Sequence, residues 1–251
     1  MIYFIGAGPG DEDLITVKGR RIIETADLVI FAGSLVSETH LKYCKPDCVK
    51  VSSAPLTLEE VMDKMVEFHD KNLTVVRLHT GDPSIYGAIG EQIQILDERK
   101  IYFEVIPGVS SFTAACSSLK KEFTLPGISQ TVIITRLAGR TPVPEKEDLE
   151  LLAKPRCSMA IFLSVKDIQT VVKKLVAGYG SDKIPIAVVY KATWPDEKII
   201  IGTLADIAEK VAGNKIEKFA QILVGEFIDT EFDRSLLYHP EFTHDFRKGS
   251  K

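Results

Sequence analysis

The sequence predicts an α/β fold of two lobes, with a mainly parallel sheet in the N-terminal lobe and a mixed sheet in the C-terminal lobe. Short apolar runs alternate with segments of helical periodicity over the first 115 residues, which is typical of a parallel sheet. After residue 116 two apolar runs flank a Trp-Pro-Asp turn, which predicts a hairpin of antiparallel strands. We therefore expect lobes over residues 1–115 and 116–238, followed by a polar tail over 239–251.

The first lobe is predicted from four apolar runs and three helical segments. The runs MIYFIGAG, ADLVIFAG, LTVVRLHT and IYFEVI each end near a glycine, a threonine or a proline, as buried strands do. A helix is expected over DLITVKGRRIIETA, and another begins after the Pro-Gly turn of IPGVSSFTAAC. The remaining helix, LTLEEVMDKMVEFHDK, has one apolar face that predicts core packing. The apolar positions are Leu14, Val17, Ile22 and Ile23 in the first helix, and Leu58, Val61, Met62, Met65 and Phe68 in the helix LTLEEVMDKMVEFHDK.

The second lobe is predicted from five strands and two helices. TVIITR, SMAIFLS, the two arms of the hairpin and FAQILVGEFI are the strands. A helix over VKDIQTVVKKLVAGYG is expected to stop near Gly178, and a later helix is expected between the N-cap Thr203 and Gly213. The inward positions of the first of these helices are Ile168, Val171, Val172 and Leu175.

Composition narrows the class of protein. The net charge is −4 with interspersed signs and no basic run, so we expect no nucleic-acid partner. No stretch approaches the ~20 apolar residues of a membrane span, so we expect a soluble, cytoplasmic protein. Cys44 and Cys48 have a CxxxC spacing with His40 nearby, but Pro46 interrupts the segment. Ordinary reduced thiols are therefore the favoured interpretation, without a metal site.

The first glycine-rich turn, GAGPGD, departs from a phosphate-binding loop. Gly6 and Gly8 fit a GxGxxG pattern, but Asp11 stands where the third glycine belongs. Pro9 has no N–H to donate, and a carboxylate beside a phosphate is repulsive. No lysine follows the glycines, which excludes a Walker loop. The turn therefore suits a cationic or neutral ligand.

Two later loops share the character of the opening turn. HTGDPSIYG follows the third predicted strand, and IPGVSS follows the fourth. In an open α/β sheet, ligands bind outside the carboxyl ends of the strands. We therefore expect the three loops to meet at one edge of the sheet and to form a binding site.

Four stretches, in their order and spacing, resemble the S-adenosylmethionine-dependent tetrapyrrole (corrin and porphyrin) methylases. They are FIGAGPGDEDLITVKGRRIIETADLVIFAGSLV, TGDPSIYG, PGVSS and GTLADI. FAGSLV, which ends the first of these stretches, and the further stretch FTLPGISQTVIITRLAGRTPVPEKEDLELLA are most similar to the branch that methylates carbon 11 at the precorrin-4 stage of cobalamin synthesis. The short chain and FAGSLV favour the form of the substrate that already holds cobalt.

The resemblance implies a homodimer that binds S-adenosylmethionine in a trough between the lobes. This cofactor is a sulfonium cation without phosphate, so a turn that lacks phosphate donors is compatible with it. The cofactor contacts implied by the family are Pro9, Gly81, Asp82, Ile85, Ser111, Phe112, Leu163, Ala192, Thr193 and Ala220.

The implied substrate is a tetrapyrrole polyanion, so its pocket should offer cationic side chains. Tyr86, Arg136 and Arg140 are the predicted substrate-binding residues, and Arg77, His79 and Lys191 lie in or beside the same loops. Some relatives carry a Tyr-Asp pair, with the aspartate as proton acceptor, where this sequence has Phe31 and Ala32. No general base is therefore assigned.

Two alternatives remain open. One is another enzyme of the same family, such as a methylase of carbon 20 or carbon 17, or the diphthine-forming branch that modifies a protein side chain. The other is a non-catalytic nucleotide-binding or metal-binding protein. Analysis of the methylated product distinguishes the first alternative from carbon-11 methylation. Ligand-binding measurements distinguish the second alternative from a methylase.

Overall fold

The computed structural model describes residues 1–33, 36 and 38–250. The chain forms two compact units, one of Met1–Ala114 with Lys191–Glu197 and one of Ala115–Tyr190 with Lys198–Lys251. Each unit is an α/β structure around a five-stranded sheet, so the predicted fold class is confirmed. The division at residues 115 and 238 stays a prediction. Ser34 and Leu35 of the FAGSLV stretch lie outside the described residues.

The sheet of the first unit is entirely parallel, as predicted. Its order is β3-β2-β4-β1-β5, so β1 lies between β4 and β5. The edge strand β3 was not predicted, because its sequence VKVS contains only two apolar residues. The strands are β1 (Ile2–Gly6), β2 (Leu28–Phe31), β3 (Val49–Ser52), β4 (Val75–His79) and β5 (Phe103–Ile106).

Helices cover both faces of this sheet. They are α1 (Val17–Thr25), α2 (Leu58–Asp70), α3 (Gly90–Glu98) and α4 (Ser111–Ser118), and α3 was not predicted. A capping box between Thr57 and Glu60 begins α2, whose Met62 and Met65 are buried as expected. Val17 was one of the apolar residues whose spacing predicted α1, and the structure leaves it 66% exposed. Thr16 caps α1, and Leu14 belongs to a preceding 3-10 turn. Leu14 and Val17 therefore do not lie on one face of the same helix.

The sheet of the second unit is mixed, as predicted, with the order β6-β7-β10-β8-β9. Only β6 and β7 pair in parallel, and β8 and β9 form the expected hairpin. The strands are β6 (Val132–Arg136), β7 (Ser158–Phe162), β8 (Pro185–Tyr190), β9 (Lys198–Thr203) and β10 (Ala220–Val224).

Three helices belong entirely to the second unit: α5 (Leu149–Ala153), α6 (Ile168–Tyr179) and α7 (Ile207–Gly213). The helix α6 ends at Tyr179, so Gly178 lies close to its C-terminal stop as predicted, and the left-handed cap is Gly180 with φ 74°. The predicted N-cap of α7 is wrong. Thr203 ends β9 and donates its N–H to Asp206 Oδ1 at 2.8 Å, and Asp206 is the residue before the helix.

The segment after β10 contains short 3-10 turns and exposed apolar side chains such as Phe232 and Phe246. Arg247 organises its end by donating to the carbonyl oxygens of Leu237 and His239 at 2.7 and 2.8 Å. None of the helices in the described part of the chain combines the length and apolar character that a membrane span needs.

Candidate active site

The three loops predicted to converge do meet at one edge of the first sheet. They follow β4, β1 and β5, which are neighbours in the sheet. Gly8 N donates to Gly81 O at 3.2 Å, and Gly81 N donates to Gly8 O at 2.8 Å, so the first two loops are joined by a two-residue ladder.

Three glycines form the centre of this loop cluster: nothing larger fits at Gly6 and Gly108, and Gly81 has a left-handed φ of 61°. A Cβ on Gly108 would lie 2.2 Å from Gly81 O and 2.8 Å from the Cα of Gly6. A Cβ on Gly6 would in turn lie 2.5 Å from Gly81 O. All these neighbours are backbone atoms, which cannot rotate away. The cluster of Gly6, Gly81 and Gly108, here called the glycine junction, therefore fixes the spacing of the three strand ends.

Asp82 fastens the second loop to the third. Its Oδ2 accepts from Gly108 N at 2.9 Å, and its Oδ1 accepts from Ser84 N at 2.8 Å and from the Ser84 hydroxyl. Burial opposes ionisation of this carboxyl, but the hydrogen bonds from Ser84 and Gly108 outweigh it and hold the pKa of Asp82 below its usual range. Asp82 is thus an ionised bridge within the site.

The opening turn is held by the loop 191–197, which belongs to the same unit. Trp194 donates its indole Nε1–H to Pro9 O at 2.8 Å, and Asp11 N donates to Thr193 Oγ1 at 3.0 Å. The indole also lies against Gly10, where a Cβ would be 2.0 Å from Trp194 Cδ1. The role of Trp194 in holding the opening turn was not predicted from the sequence.

The loop 191–197 is itself fixed by short contacts. Lys191 pairs with Asp196 at 2.6 Å, and Glu197 Oε2 accepts from Thr193 N at 2.6 Å. Lys191 and Thr193 have φ values of 48° and 70°, a region that non-glycine residues seldom occupy. Ala192 lies between them and is buried. Non-glycine residues in this conformation persist only where the surrounding structure imposes it, and such positions concentrate at functional sites.

The amide donors of the site are mostly used by the protein itself. Gly8 N and Gly81 N bond each other's loop, Gly108 N bonds Asp82, and Asp11 N bonds Thr193. The Asp11 carboxylate accepts from Asp13 N at 2.9 Å and caps the following 3-10 turn. A phosphate loop needs several free N–H groups aimed at one point. This loop cluster instead presents carboxylates and satisfied amides.

The rest of the second loop also carries left-handed backbone. Tyr86 and Ala88 have φ values of 54° and 50°, and a Cβ on Gly87 would lie 2.1 Å from Pro83 O. Tyr86 is 45% exposed, and Ile85 is half-buried. The predicted contacts Ile85 and Tyr86 therefore belong to a loop whose shape is tightly constrained.

Arg77 and His79 lie two residues apart on the same face of β4, just before the Gly81–Asp82 turn. Both side chains are buried, and Arg77 Nε and His79 Nε2 have no hydrogen-bond partner among the described residues. Burial lowers the pKa of Arg77 to about 10, so this guanidinium stays protonated at neutral pH. Burial and the charge of Arg77 lower the pKa of His79 to about 3, so this imidazole is neutral.

The third loop leads directly into α4. Ser110 is buried, and its carbonyl oxygen accepts from Ala114 N at 3.1 Å and from Thr113 Oγ1 at 2.8 Å. Ser111 and Phe112 are the first two residues of the helix and are half-buried. The structure therefore brings together the predicted residues of the first unit. They are Pro9, Gly81, Asp82, Ile85, Tyr86, Ser111, Phe112, Ala192 and Thr193.

The other predicted residues lie in the second unit. Leu163 follows β7 with φ 55° and is 73% exposed, which is unusual for a leucine, and Ala220 begins β10. Arg136 ends β6 and donates to the carbonyl oxygens of Leu137, Thr141 and Pro142 at 3.3, 3.2 and 2.7 Å. Arg140 is exposed in the same loop.

No group of three or more His, Cys, Asp or Glu side chains with a geometry suited to a metal ion occurs in the described part of the chain. Cys44 and Cys48 carry free thiols there.

The chain belongs to the tetrapyrrole (corrin/porphyrin) methylases, whose family model matches residues 1–208. It is 54% identical to the cobalt-precorrin-4 C(11)-methyltransferase of Methanocaldococcus jannaschii over all of this chain and 97% of that protein. It is 47% identical to the precorrin-4 C(11)-methyltransferase of Pseudomonas aeruginosa over 99% of each chain. The resemblance seen in the sequence motifs is therefore confirmed at the level of the family.

Two solved structures have the same fold. A cobalt precorrin-4 methyltransferase matches with a TM-score of 0.89 and 45% identity, over 91% of this chain and 96% of that one. A uroporphyrin-III C-methyltransferase from Thermus thermophilus, solved with S-adenosylhomocysteine, matches with a TM-score of 0.75 and 26% identity, over 91% and 93% of the two chains.

Proposed function

We propose that this protein transfers a methyl group from S-adenosylmethionine to carbon 11 of cobalt-precorrin-4, with precorrin-4 as the alternative substrate. The observation that carries the choice of cofactor is the glycine junction, in which Gly81 N and Gly108 N bond the protein itself. A dinucleotide or nucleotide would need those amides for its phosphates. A phosphate-free sulfonium cofactor does not, and the nearby carboxylates are compatible with its positive charge.

S-adenosylmethionine supplies an electrophilic methyl group on a positively charged sulfur. The fixed Pro9–Gly10 turn and the Asp82 loop would orient this cofactor, and Leu163 and Ala220 are further proposed contacts. Leu163 has a left-handed φ, and non-glycine residues in this conformation concentrate at functional sites, which favours Leu163 as an apolar cover of the cofactor. The full set of proposed contacts is Pro9, Gly81, Asp82, Ile85, Ser111, Phe112, Leu163, Ala192, Thr193 and Ala220.

The substrate carboxylates would be recognised by cationic side chains. Arg140 is the better of the two predicted arginines, because the guanidinium of Arg136 already donates to three carbonyl oxygens. Arg77 keeps its charge although it is buried, and its Nε has no hydrogen-bond partner among the described residues. Tyr86 would contact the macrocycle from the loop beside the cofactor.

Positioning of the cofactor and the substrate would provide most of the rate acceleration. Methyl transfer to carbon needs the macrocycle carbon in line with the bond between sulfur and methyl, and fixed loops reduce the entropic cost of that arrangement. No general base is assigned, because Phe31 and Ala32 bring no ionisable group to the end of β2. His79 is a weak base at a pKa of about 3.

The decisive experiment locates the transferred methyl group. Purified protein is incubated with ¹³C-methyl-labelled S-adenosylmethionine and with cobalt-precorrin-4 or precorrin-4, and NMR identifies the labelled carbon. We expect label at carbon 11 and faster turnover with the cobalt form. Label at carbon 20 or carbon 17, or on a protein side chain, would assign the chain to another branch of the family.

Calorimetry tests the cofactor independently of the substrate. We expect S-adenosylhomocysteine to bind, and NAD and ATP not to bind. Binding of NAD or ATP without binding of S-adenosylhomocysteine would favour the non-catalytic alternative.

The proposed assembly is a homodimer that binds no nucleic acid, and the proposed location is the cytoplasm. Light scattering after size exclusion is expected to give twice the mass of one chain. A mass equal to one chain would exclude the dimer.

A further inference from the structure

The loops that follow β6 and β7 begin side by side at one edge of the second sheet. The two strands are parallel neighbours, and Arg136, the last residue of β6, lies opposite Phe162, the last residue of β7. The loop of residues 137–142 contains Arg140, and the turn after β7 contains Leu163. Each of the two segments therefore carries a residue for which we propose a ligand contact.

The Ser164 hydroxyl joins these two segments. Ser164 is buried, and its Oγ accepts a hydrogen bond from Leu137 N at 2.8 Å and donates one to Phe162 O at 2.6 Å. The hydroxyl thus uses its donor and an acceptor at once. The second bond closes the turn around Leu163, whose φ is 55°. Removal of this hydroxyl takes the acceptor from Leu137 N and loosens the turn on its other side.

The Arg136 guanidinium closes the 137–142 loop on itself. Its Nη1 donates to Leu137 O at 3.3 Å and to Thr141 O at 3.2 Å, and its Nη2 donates to Pro142 O at 2.7 Å. The acceptors lie at both ends of the loop, so the planar fork of one side chain holds the two ends together. A lysine carries the same charge but has no such fork.

Arg140 lies in the exposed part of this loop. Gly139 N donates to Thr141 O at 3.2 Å across it. Within the described part of the chain, neither Arg136 nor Arg140 forms an ion pair with a carboxylate, and the Arg140 guanidinium makes no hydrogen bond. Two positive charges without a counter-charge on one short loop suit a ligand with several carboxylates.

We propose that Arg136 and Ser164 are positioning residues, which hold the 137–142 loop in the shape that lets Arg140 bind a carboxylate of the substrate. This inference rests on the proposed function, which supplies the substrate class. Because carbonyl oxygens occupy the guanidinium of Arg136, Arg140 makes the contact and Arg136 acts through it. Ser164 acts on both segments, since the turn that its hydroxyl closes contains Leu163.

Limited proteolysis tests the shape of the loop without any substrate. Trypsin can cut the whole folded protein between Arg140 and Thr141, and the cut after the exposed Lys215 serves as the internal reference. We expect Arg136→Met and Ser164→Ala to speed the cut at Arg140 at least about fivefold relative to the reference, because each change removes hydrogen bonds that hold the loop. The control is Ser181→Ala, in which the lost hydroxyl accepts from Lys183 N, and it should keep the original ratio. An unchanged ratio in Arg136→Met and Ser164→Ala would overturn the proposal.

Steady-state kinetics with cobalt-precorrin-4 test which arginine contacts the substrate. Arg140→Met should raise the KM for the tetrapyrrole about tenfold and change the KM for S-adenosylmethionine less than about twofold. Arg140→Lys should recover most of the loss, because the charge remains. Arg136→Lys should be as impaired as Arg136→Met, because an ammonium group cannot bridge the carbonyl oxygens of the loop. Either an unchanged KM in Arg140→Met or full recovery in Arg136→Lys would overturn the proposal.

Ser164→Ala should differ from the arginine variants by affecting both ligands. We expect the KM for the tetrapyrrole and the KM for S-adenosylmethionine each to rise at least about threefold, while Ser181→Ala leaves both unchanged. Unchanged values of both in Ser164→Ala would contradict its positioning role. If the unmodified protein does not methylate carbon 11, the proposed function fails and the role of Arg140 fails with it. The rate of the cut at Arg140 still decides in that case whether Arg136 and Ser164 hold the loop.

Discussion

The first and the second unit both depend on close backbone approach, but they use it for different purposes. In the first unit, Gly6, Gly81 and Gly108 bring three strand ends together outside the sheet. In the second unit, Gly178 lies within α6 against α5, where a Cβ would be 2.4 Å from Glu150 O. One contact shapes the proposed binding site and the other shapes a core. The location of a glycine at the carboxyl end of a parallel strand, rather than its presence, indicates function.

Positive φ values also occur in two different settings, at the ends of helices and in the loops of the proposed binding site. Asn72 and Lys100 adopt positive φ just after α2 and α3, where a left-handed residue ordinarily ends a helix. Tyr86, Lys191 and Thr193 adopt it in loops that follow strands, where no helix end requires it. The proposed ligand-binding role therefore accounts for the left-handed conformations in these loops.

The largest expected effect is that of Gly108→Ala at the glycine junction. The new Cβ meets only backbone atoms within 2.8 Å, so the loops must separate at a cost of about 3 kcal/mol or more in the free energy of unfolding. Binding of S-adenosylhomocysteine should be lost, as measured by calorimetry. Gly90→Ala is the matched control, because a Cβ there has no neighbour within 4 Å and the position begins α3. Equal behaviour of the two variants would contradict the role of the junction.

Asp82→Asn should have the next largest effect. The amide replaces an ionised acceptor of hydrogen bonds from Gly108 and Ser84, at a cost of about 2 kcal/mol at pH 7. Because the pKa of Asp82 is lowered by folding, its contribution is complete above the unfolded pKa of about 4 and is lost as the pH falls through the folded pKa. Urea unfolding should therefore show a difference between the two proteins that shrinks below about pH 4. A difference independent of pH would exclude the carboxylate as its source.

Gly178→Ala tests the second unit. The change gains about 1 kcal/mol of helix propensity, but the Cβ would approach Glu150 O and the Cβ of Ala153 at 2.4 and 2.6 Å. We expect a net loss of about 1 to 2 kcal/mol in thermal unfolding as α5 shifts. The dissociation constant for S-adenosylhomocysteine should change less than about twofold in the folded protein. A loss of cofactor binding like that of Gly108→Ala would remove the distinction between the two contacts.

The sequence predicted those features that depend on local pattern. Alternating apolar runs predicted nine of the ten strands, and the turn at residues 194–196 predicted the hairpin of β8 and β9. β3 and α5 were missed because four and five residues carry too little periodicity. The glycine-rich turns predicted the convergence of the first-unit loops. Trp194 was missed because its contact with Pro9 spans 185 residues, and no local signal reports such a distance.

The smallest expected effect belongs to Trp194→Phe, which addresses this long-range contact. Phenylalanine keeps an aromatic ring beside Gly10 but removes the donor to Pro9 O, at a cost of about 1 kcal/mol. Because the lost bond holds the opening turn, calorimetry should show an affinity for S-adenosylhomocysteine that is about fivefold weaker. Tyr102→Phe removes a hydroxyl from an exposed ring of the same unit and should leave the affinity unchanged. An unchanged affinity in Trp194→Phe would mean that the contact with Gly10, rather than the hydrogen bond, holds the turn in its binding conformation.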